Sequence, residues 1–194
     1  MQPTAQRTAD ALPIVLTVSG NVPTRFLPLL SEGILLRGPG GATVEAFLAE
    51  AVGIPSDYLK ARVQTVFLNG RALDDFSTPR VEDGATLALS AAMPGLAGAV
   101  LRRGGIYASL RREISHAAQA SGGTPGEILV TLKLFNLIAR ELGPELLKRG
   151  VLIPGARWCD FVRRQERWAW AGCLSAEVDG QPFAFDRIVE RCAG

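Results

Sequence analysis

The sequence predicts an α+β protein, and three observations carry that expectation. Short β-branched runs alternate with Gly-, Asn- and Pro-marked turns over residues 12–99. One capped amphipathic helix lies among them, opening at Thr43. Beyond residue 100 the apolar spacing turns mainly helical and closes on a hairpin-like stretch.

Taken in order, residues 1–11 read as a polar flexible leader. Ile14–Val18 (I-V-L-T-V) reads as a strand, and Ser19-Gly20-Asn21 as a turn. Pro23 and Pro28 disfavour a regular strand over Val22–Leu30. Ile34–Arg37 is a second short strand, ended by Gly38-Pro39-Gly40-Gly41. Thr43 caps a helix in which Val44, Phe47, Leu48, Ala51 and Val52 share one face, and Gly53 ends it. Val63–Leu68 is a strand, and Asn69-Gly70 turns it into Arg71-Ala72-Leu73. Glu82-Asp83-Gly84 is a further turn before the strand Thr86–Ser90.

The second half predicts a helix over Ile106–Ala120 and another from Thr124, with Pro125 at its first position and Glu127 closing a capping box. That helix is expected to run through Leu132, Phe135, Ile138 and Ala139 to Leu142, where Gly143-Pro144 stops it. A short helix to Arg149, a strand near Val151–Ile153, a helix over 157–170 and a hairpin over Ala176–Phe185 around Asp179-Gly180 follow. The organisation read from this is a leader (1–11), an α+β domain (12–99) and a mainly helical domain with a terminal β-hairpin (100–194).

Composition is that of an ordinary globular chain: 194 residues, 47% hydrophobic and 21% charged. Residues 1–100 carry seven Lys/Arg against nine Asp/Glu, and 101–194 carry fourteen against ten. So mild an asymmetry makes a nucleic-acid partner unlikely. No apolar run approaches the roughly 18 residues a membrane helix needs, so no membrane partner is expected. Cys159, Cys173 and Cys192 match no zinc or redox spacing and read as buried thiols in a reduced, cytoplasmic setting. No metal and no cofactor is assigned.

Three stretches resemble the β-grasp sulfur-carrier family, the ubiquitin relatives that include the small subunit of molybdopterin synthase and the thiamine sulfur carrier. Gly38-Pro39-Gly40-Gly41-Ala42-Thr43-Val44-Glu45-Ala46-Phe47-Leu48 resembles that family's turn and helix start. Val66-Phe67-Leu68-Asn69-Gly70 resembles its strand and turn, and Thr78-Pro79-Arg80-Val81-Glu82-Asp83-Gly84-Ala85-Thr86-Leu87-Ala88-Leu89 its approach to the last strand. The resemblance implies a β-grasp (ubiquitin-like) fold over residues 12–99. It also implies a glycine tail activated by an adenylating enzyme. Met93-Pro94-Gly95-Leu96-Ala97-Gly98-Ala99 resembles such a tail, but Ala99 replaces its last glycine. Leu101-Arg102-Arg103-Gly104-Gly105 resembles the ubiquitin tail. Both are internal, so a protease would have to cut after Gly98 or Gly105.

Two readings of function follow. The first is a non-catalytic protein-interaction module, with Arg102, Arg103, Trp158, Arg164 and Trp168 as candidate interface residues, since Trp and Arg are enriched at binding hot spots. The second is a sulfur-carrier or ubiquitin-like precursor, with Gly98, Gly104 and Gly105 as candidate tail residues and an adenylating enzyme or protease as partner. Each feature also has a plain structural role. Gly104-Gly105 fits an interdomain hinge. The Arg/Trp stretch 157–170 fits an amphipathic core helix, a protein interface or a base-stacking surface. His116, the only histidine, has no sequence neighbour that makes it a catalytic base. Asp74-Asp75 reads as a solvated turn, and Gly38–Gly41 lacks the Lys-Ser/Thr ending of a phosphate loop. The chain is therefore not expected to be an enzyme. Oligomeric state stays open.

Overall fold

The structure is a computed structural model that describes residues 14–18, 22–92, 95–103, 105, 126–164, 173–178 and 180–182. It is α+β, with two sheets and a helical layer. The larger sheet holds β2 (Ile34–Pro39), β3 (Thr65–Leu68), β4 (Arg71–Leu73), β5 (Thr86–Ser90) and β6 (Glu127–Phe135), in the order β2-β6-β5-β3-β4. The smaller joins β1 (Ile14–Val18) to β7 (Cys173–Val178) and β8 (Gln181–Pro182).

The capped helix forms where the sequence places it. The Thr43 side chain accepts the Ala46 backbone N–H at 3.2 Å and opens α2 (Val44–Phe47). A π-helical turn, Leu48–Val52, continues it to Gly53, whose left-handed φ of 76° ends it. Two short helices flank this one in sequence: α1 (Leu27–Glu32), entered from a 3₁₀ turn at Val22–Phe26, and α3 (Ser56–Arg62). The Asn69-Gly70 hairpin is present, with φ of 51° and 79° at the two positions.

Residues 127–135 correct the sequence reading. The run E-I-L-V-T-L-K-L-F is not helix but the long central strand β6. It pairs antiparallel with β2, from Ile34↔Leu132 to Pro39↔Glu127, and parallel with β5, from Thr86↔Thr131 to Ser90↔Phe135. Ile128, Val130, Leu132 and Leu134 alternate onto the helix-covered face and are buried with Leu87, Leu89, Val66, Phe47 and Leu48. The run has apolar residues at both helical and strand periods. Backbone partners waiting on both sides decide for the strand. Thr124-Pro125, the expected cap, lies outside the described residues, as do the helix expected over Ile106–Ala120, the leader and His116.

A second correction concerns the helix stop. Helix α5 (Asn136–Arg149) passes through Gly143 and Pro144. A Cβ at Gly143 would lie 2.5 Å from Leu27 Cδ2 and 2.6 Å from Leu30 Cδ1. The glycine therefore serves the close approach of α1 rather than a break. Pro144 forfeits the hydrogen bond to the Arg140 carbonyl, at a residue on the exposed side of the helix.

A third correction concerns β1. The first strand does not lie beside β2; that place is taken by β6. β1 pairs instead with β7, from Ile14↔Val178 to Val18↔Cys173, with a bulge at Thr17/Val18. The expected terminal hairpin is seen as β7–β8 with Gly180 at φ 70°. Asp179 and residues beyond Pro182 lie outside the described residues. Near Val151–Ile153 only a single bridge forms: Leu35 donates its N–H to Leu152 O at 2.8 Å, on the outer edge of β2.

A second, smaller core lies under β1 and β7. Phe26, Leu29, Phe161, Val162 and Ala176 are buried there, with Leu16, Trp158, Cys159 and Cys173 packed against them. Helix α6 (Gly155–Arg164) supplies Phe161 and Val162.

Candidate functional site

The candidate tail is not a free strand. Gly98 is buried within helix α4 (Gly95–Leu101), and its carbonyl accepts the Arg102 N–H at 3.0 Å. Protease sites and activating channels take extended backbone, which this glycine does not have here. Just after α4 the chain is pinned. The Arg103 N–H donates to Gln64 O at 2.8 Å, and its Nη2 donates to Lys60 O at 3.0 Å. The same guanidinium lies 4.4 Å from the centre of the Phe76 ring, a cation–π contact. Gly105 donates its N–H to Arg102 O at 3.1 Å. Arg102 is exposed beside this anchor. Gly104 lies outside the described residues.

Phe76 is held under Arg103 by a turn the sequence marks only as solvated acids. Asp75 Oδ1 accepts the Ser77 N–H at 2.9 Å and the Ser77 hydroxyl at 2.7 Å, and Oδ2 accepts the Thr78 N–H at 3.1 Å. Those bonds favour the carboxylate and draw the Asp75 pKa down to about 2.

Trp158 and Arg164 sit elsewhere, on α6 over the smaller core. The Trp158 ring lies 6.0 Å from Phe161 at 33°, and Phe161 lies 5.7 Å from Phe26. Arg164 pairs with Glu32 and donates its Nε to Asp160 O at 3.0 Å. Trp158 thus packs as core, while Arg164 ties α6 to α1. Arg103, with Arg102 beside it in sequence, is tied to Lys60 of α3 and to Gln64 just before β3, so the candidate interface residues fall into two groups rather than one patch. Trp168 lies outside the described residues.

The sheet face turned away from α2 is partly covered, since Leu129, Ala72, Thr65 and Ser90 on it are buried, and its remaining residues mix basic and apolar groups. Register places Leu35 and Arg37 of β2, Thr131 and Lys133 of β6, Ala88 of β5 and Phe67 of β3 on it. All are partly or fully exposed. Arg37 meets Glu127 at 3.7 Å in an exposed pair. Arg157 reaches the adjoining rim and donates to Gly33 O. Basic groups therefore outnumber acidic ones along this face.

Sequence reading also missed an anchor between α3 and α5. The Tyr58 hydroxyl donates to Glu141 Oε2 at 2.6 Å, and Arg62 pairs with the same carboxylate. Burial, then the Glu141 hydrogen bond, pushes the Tyr58 pKa up, and the Arg62 bond holds Glu141 below its usual range. Partners so far apart in sequence leave no local signal. A further cluster joins Ser56 and Lys60 to Glu45; Lys60 Nζ lies 3.7 Å from Glu45 Oε1.

The two described cysteines, Cys159 and Cys173, do not behave alike, and Cys192 lies outside the described residues. Cys159 is disulfide-bonded, which corrects the reading of it as a buried thiol and removes the premise for a reduced, cytoplasmic setting. Cys173 is a free thiol pushed up in pKa by burial, against the pull of Arg25. Among the described residues no group of three His, Cys, Asp or Glu side chains could hold a metal, and no helix is long and apolar enough to cross a membrane. Comparison of the chain with protein-family models, curated proteins and solved structures gave no match.

Proposed function

We propose that the protein is a non-catalytic protein-interaction module built on a β-grasp (ubiquitin-like) sheet. The fold part of this reading is supported by a mixed five-stranded sheet covered on one face by helices, the capped helix α2 among them, with the Asn69-Gly70 hairpin and the Asp83-Gly84 turn where the resembling motifs lie. In this chain the strand beside β2 comes from the C-terminal side. The observation that carries the interaction reading is the partly exposed sheet face with Arg37, Lys133 and the nearby Arg157 among apolar Leu35 and Phe67. Such a mixture suits a protein partner that offers carboxylates around an apolar centre.

The test is recovery of the chain from its own cells with and without the paired change Arg37→Glu and Lys133→Glu. A partner that accompanies the native chain at fixed stoichiometry and is lost from the folded variant supports the reading. A chain that binds nothing and turns over a substrate by itself refutes it.

The precursor reading has weaker support. Gly98 is helical, and the N-terminal side of either cut lacks the sheet's central strand. Intact mass decides it: only the full 20.7 kDa chain in native cells would end that reading.

A further inference from the structure

We infer that chain continuity directly after Gly105 is dispensable, so that a cut there leaves a two-chain protein and releases no modifier. The inference does not rest on the interaction reading. It rests on the strand pairing alone, and its failure would leave the proposed function untouched.

Three sets of backbone bonds cross the cut. β6 is paired along both edges, with β2 from Ile34↔Leu132 to Pro39↔Glu127 and with β5 from Thr86↔Thr131 to Ser90↔Phe135. β1, at the start of the chain, is paired along its length with β7 near the end. Removing β6 would strip β2 and β5 of partners at the sheet's middle and expose the buried side chains that Ile128, Val130, Leu132 and Leu134 cover. Further ties reach across: Asp83 Oδ1 accepts the Leu129 N–H at 2.8 Å, Arg149 Nη1 donates to Val52 O at 3.2 Å, and Glu141 holds Tyr58 and Arg62.

The end of the first fragment is also fastened. Arg103 is bonded to Gln64 and Lys60 and stacked on Phe76, all residues of that same fragment. A cut at the Gly105 carbonyl therefore leaves its new carboxylate beside an intact body. Hydrolysis of that one peptide bond consumes one water and yields a carboxylate and an amine; no other reactant is needed.

The experiment inserts a site-specific protease sequence after Gly105 in the full chain and cleaves it. Denaturing mass spectrometry reports the cut, and native mass spectrometry with size exclusion reports assembly. The expected result is complete cleavage with both fragments at one-to-one in a single native peak. Co-expression of residues 1–105 and 106–194 as separate chains, with a tag on one, should recover the same pair, which covers the case in which the inserted site resists the protease. Val130→Pro in the cut protein should separate the fragments, because proline removes a ladder donor in a central strand. Fragments that part after cleavage, halves that never associate, or a pair that survives Val130→Pro would each overturn the inference.

Discussion

Gly38 shows how one missing atom sets a local structure. A Cβ there would lie 2.5 Å from Cε2 and 3.0 Å from Cζ of Phe47, a fully buried ring. Gly38→Ala should therefore destabilise the protein by about 1–3 kcal/mol through overpacking, read as a lower urea midpoint at unchanged slope. Asn136 carries the opposite kind of constraint. It opens α5 with φ at 52° and donates Nδ2 to Ser90 Oγ at 3.0 Å. Asn136→Ala should cost about 1–3 kcal/mol, and Asn136→Gly should keep the backbone while losing the side-chain bond. Asp75 supplies a pH signature. Its carboxyl is held at about 2, so the turn's contribution is complete above the ordinary aspartate range and is lost as pH falls from there toward 2. A carboxyl-carbon NMR titration should place the Asp75 midpoint well below the ordinary aspartate value. Asp75→Asn should weaken the acid-side loss of stability and loosen the Arg103–Phe76 contact.

At the scale of elements, the reliable signals were those whose cause is local. Thr43 and Gly53 bound their helix because a cap bond and a left-handed glycine act within one turn. Asn69-Gly70 made its hairpin for the same reason. The Asp83-Gly84 turn was legible, but its larger role was not: Asp83 and Gly84 both bond to Leu129, fixing the register of β6 from far away in sequence. Asp83→Ala should cost about 1.5–3 kcal/mol, the range for a bond to a charged group, and should loosen β6 before β3 in amide exchange. The helix expected over Thr124–Leu142 holds from Asn136 onward but fails over 127–135, because Leu132, Phe135, Ile138 and Ala139 fall at helical spacing while Ile128, Val130, Leu132 and Leu134 fall at strand spacing. Only the unpaired edges of β2 and β5 discriminate between the two, and neither edge is visible in a local window. The π-helical turn at Leu48–Val52 and the uninterrupted α5 likewise depend on packing, the latter on Leu27 and Leu30 against Gly143.

At the scale of the molecule, the two halves of the sequence are interleaved. The sheet that the first half was expected to complete alone takes its centre from residues 127–135, and β1 serves the smaller sheet with β7. The candidate site residues were legible only as types. Arg103 and Trp158 looked alike in sequence as basic and aromatic interface candidates. The structure uses Arg103 as a strap on α3 and Trp158 as a wall of the smaller core. The basic sheet face was not legible at all, since Arg37 and Lys133 come onto one face of the sheet only once that pairing exists.

Everything above that scale depends on β6 lying between β2 and β5. The most direct test is through-space NMR on the uniformly labelled full chain. The account predicts cross-strand contacts joining Val130 to Leu36 and Leu132 to both Ile34 and Leu87, with extended-chain sequential contacts along residues 127–135. Contacts between residues three apart along 127–135, with none reaching Ile34, Leu36 or Leu87, would contradict it.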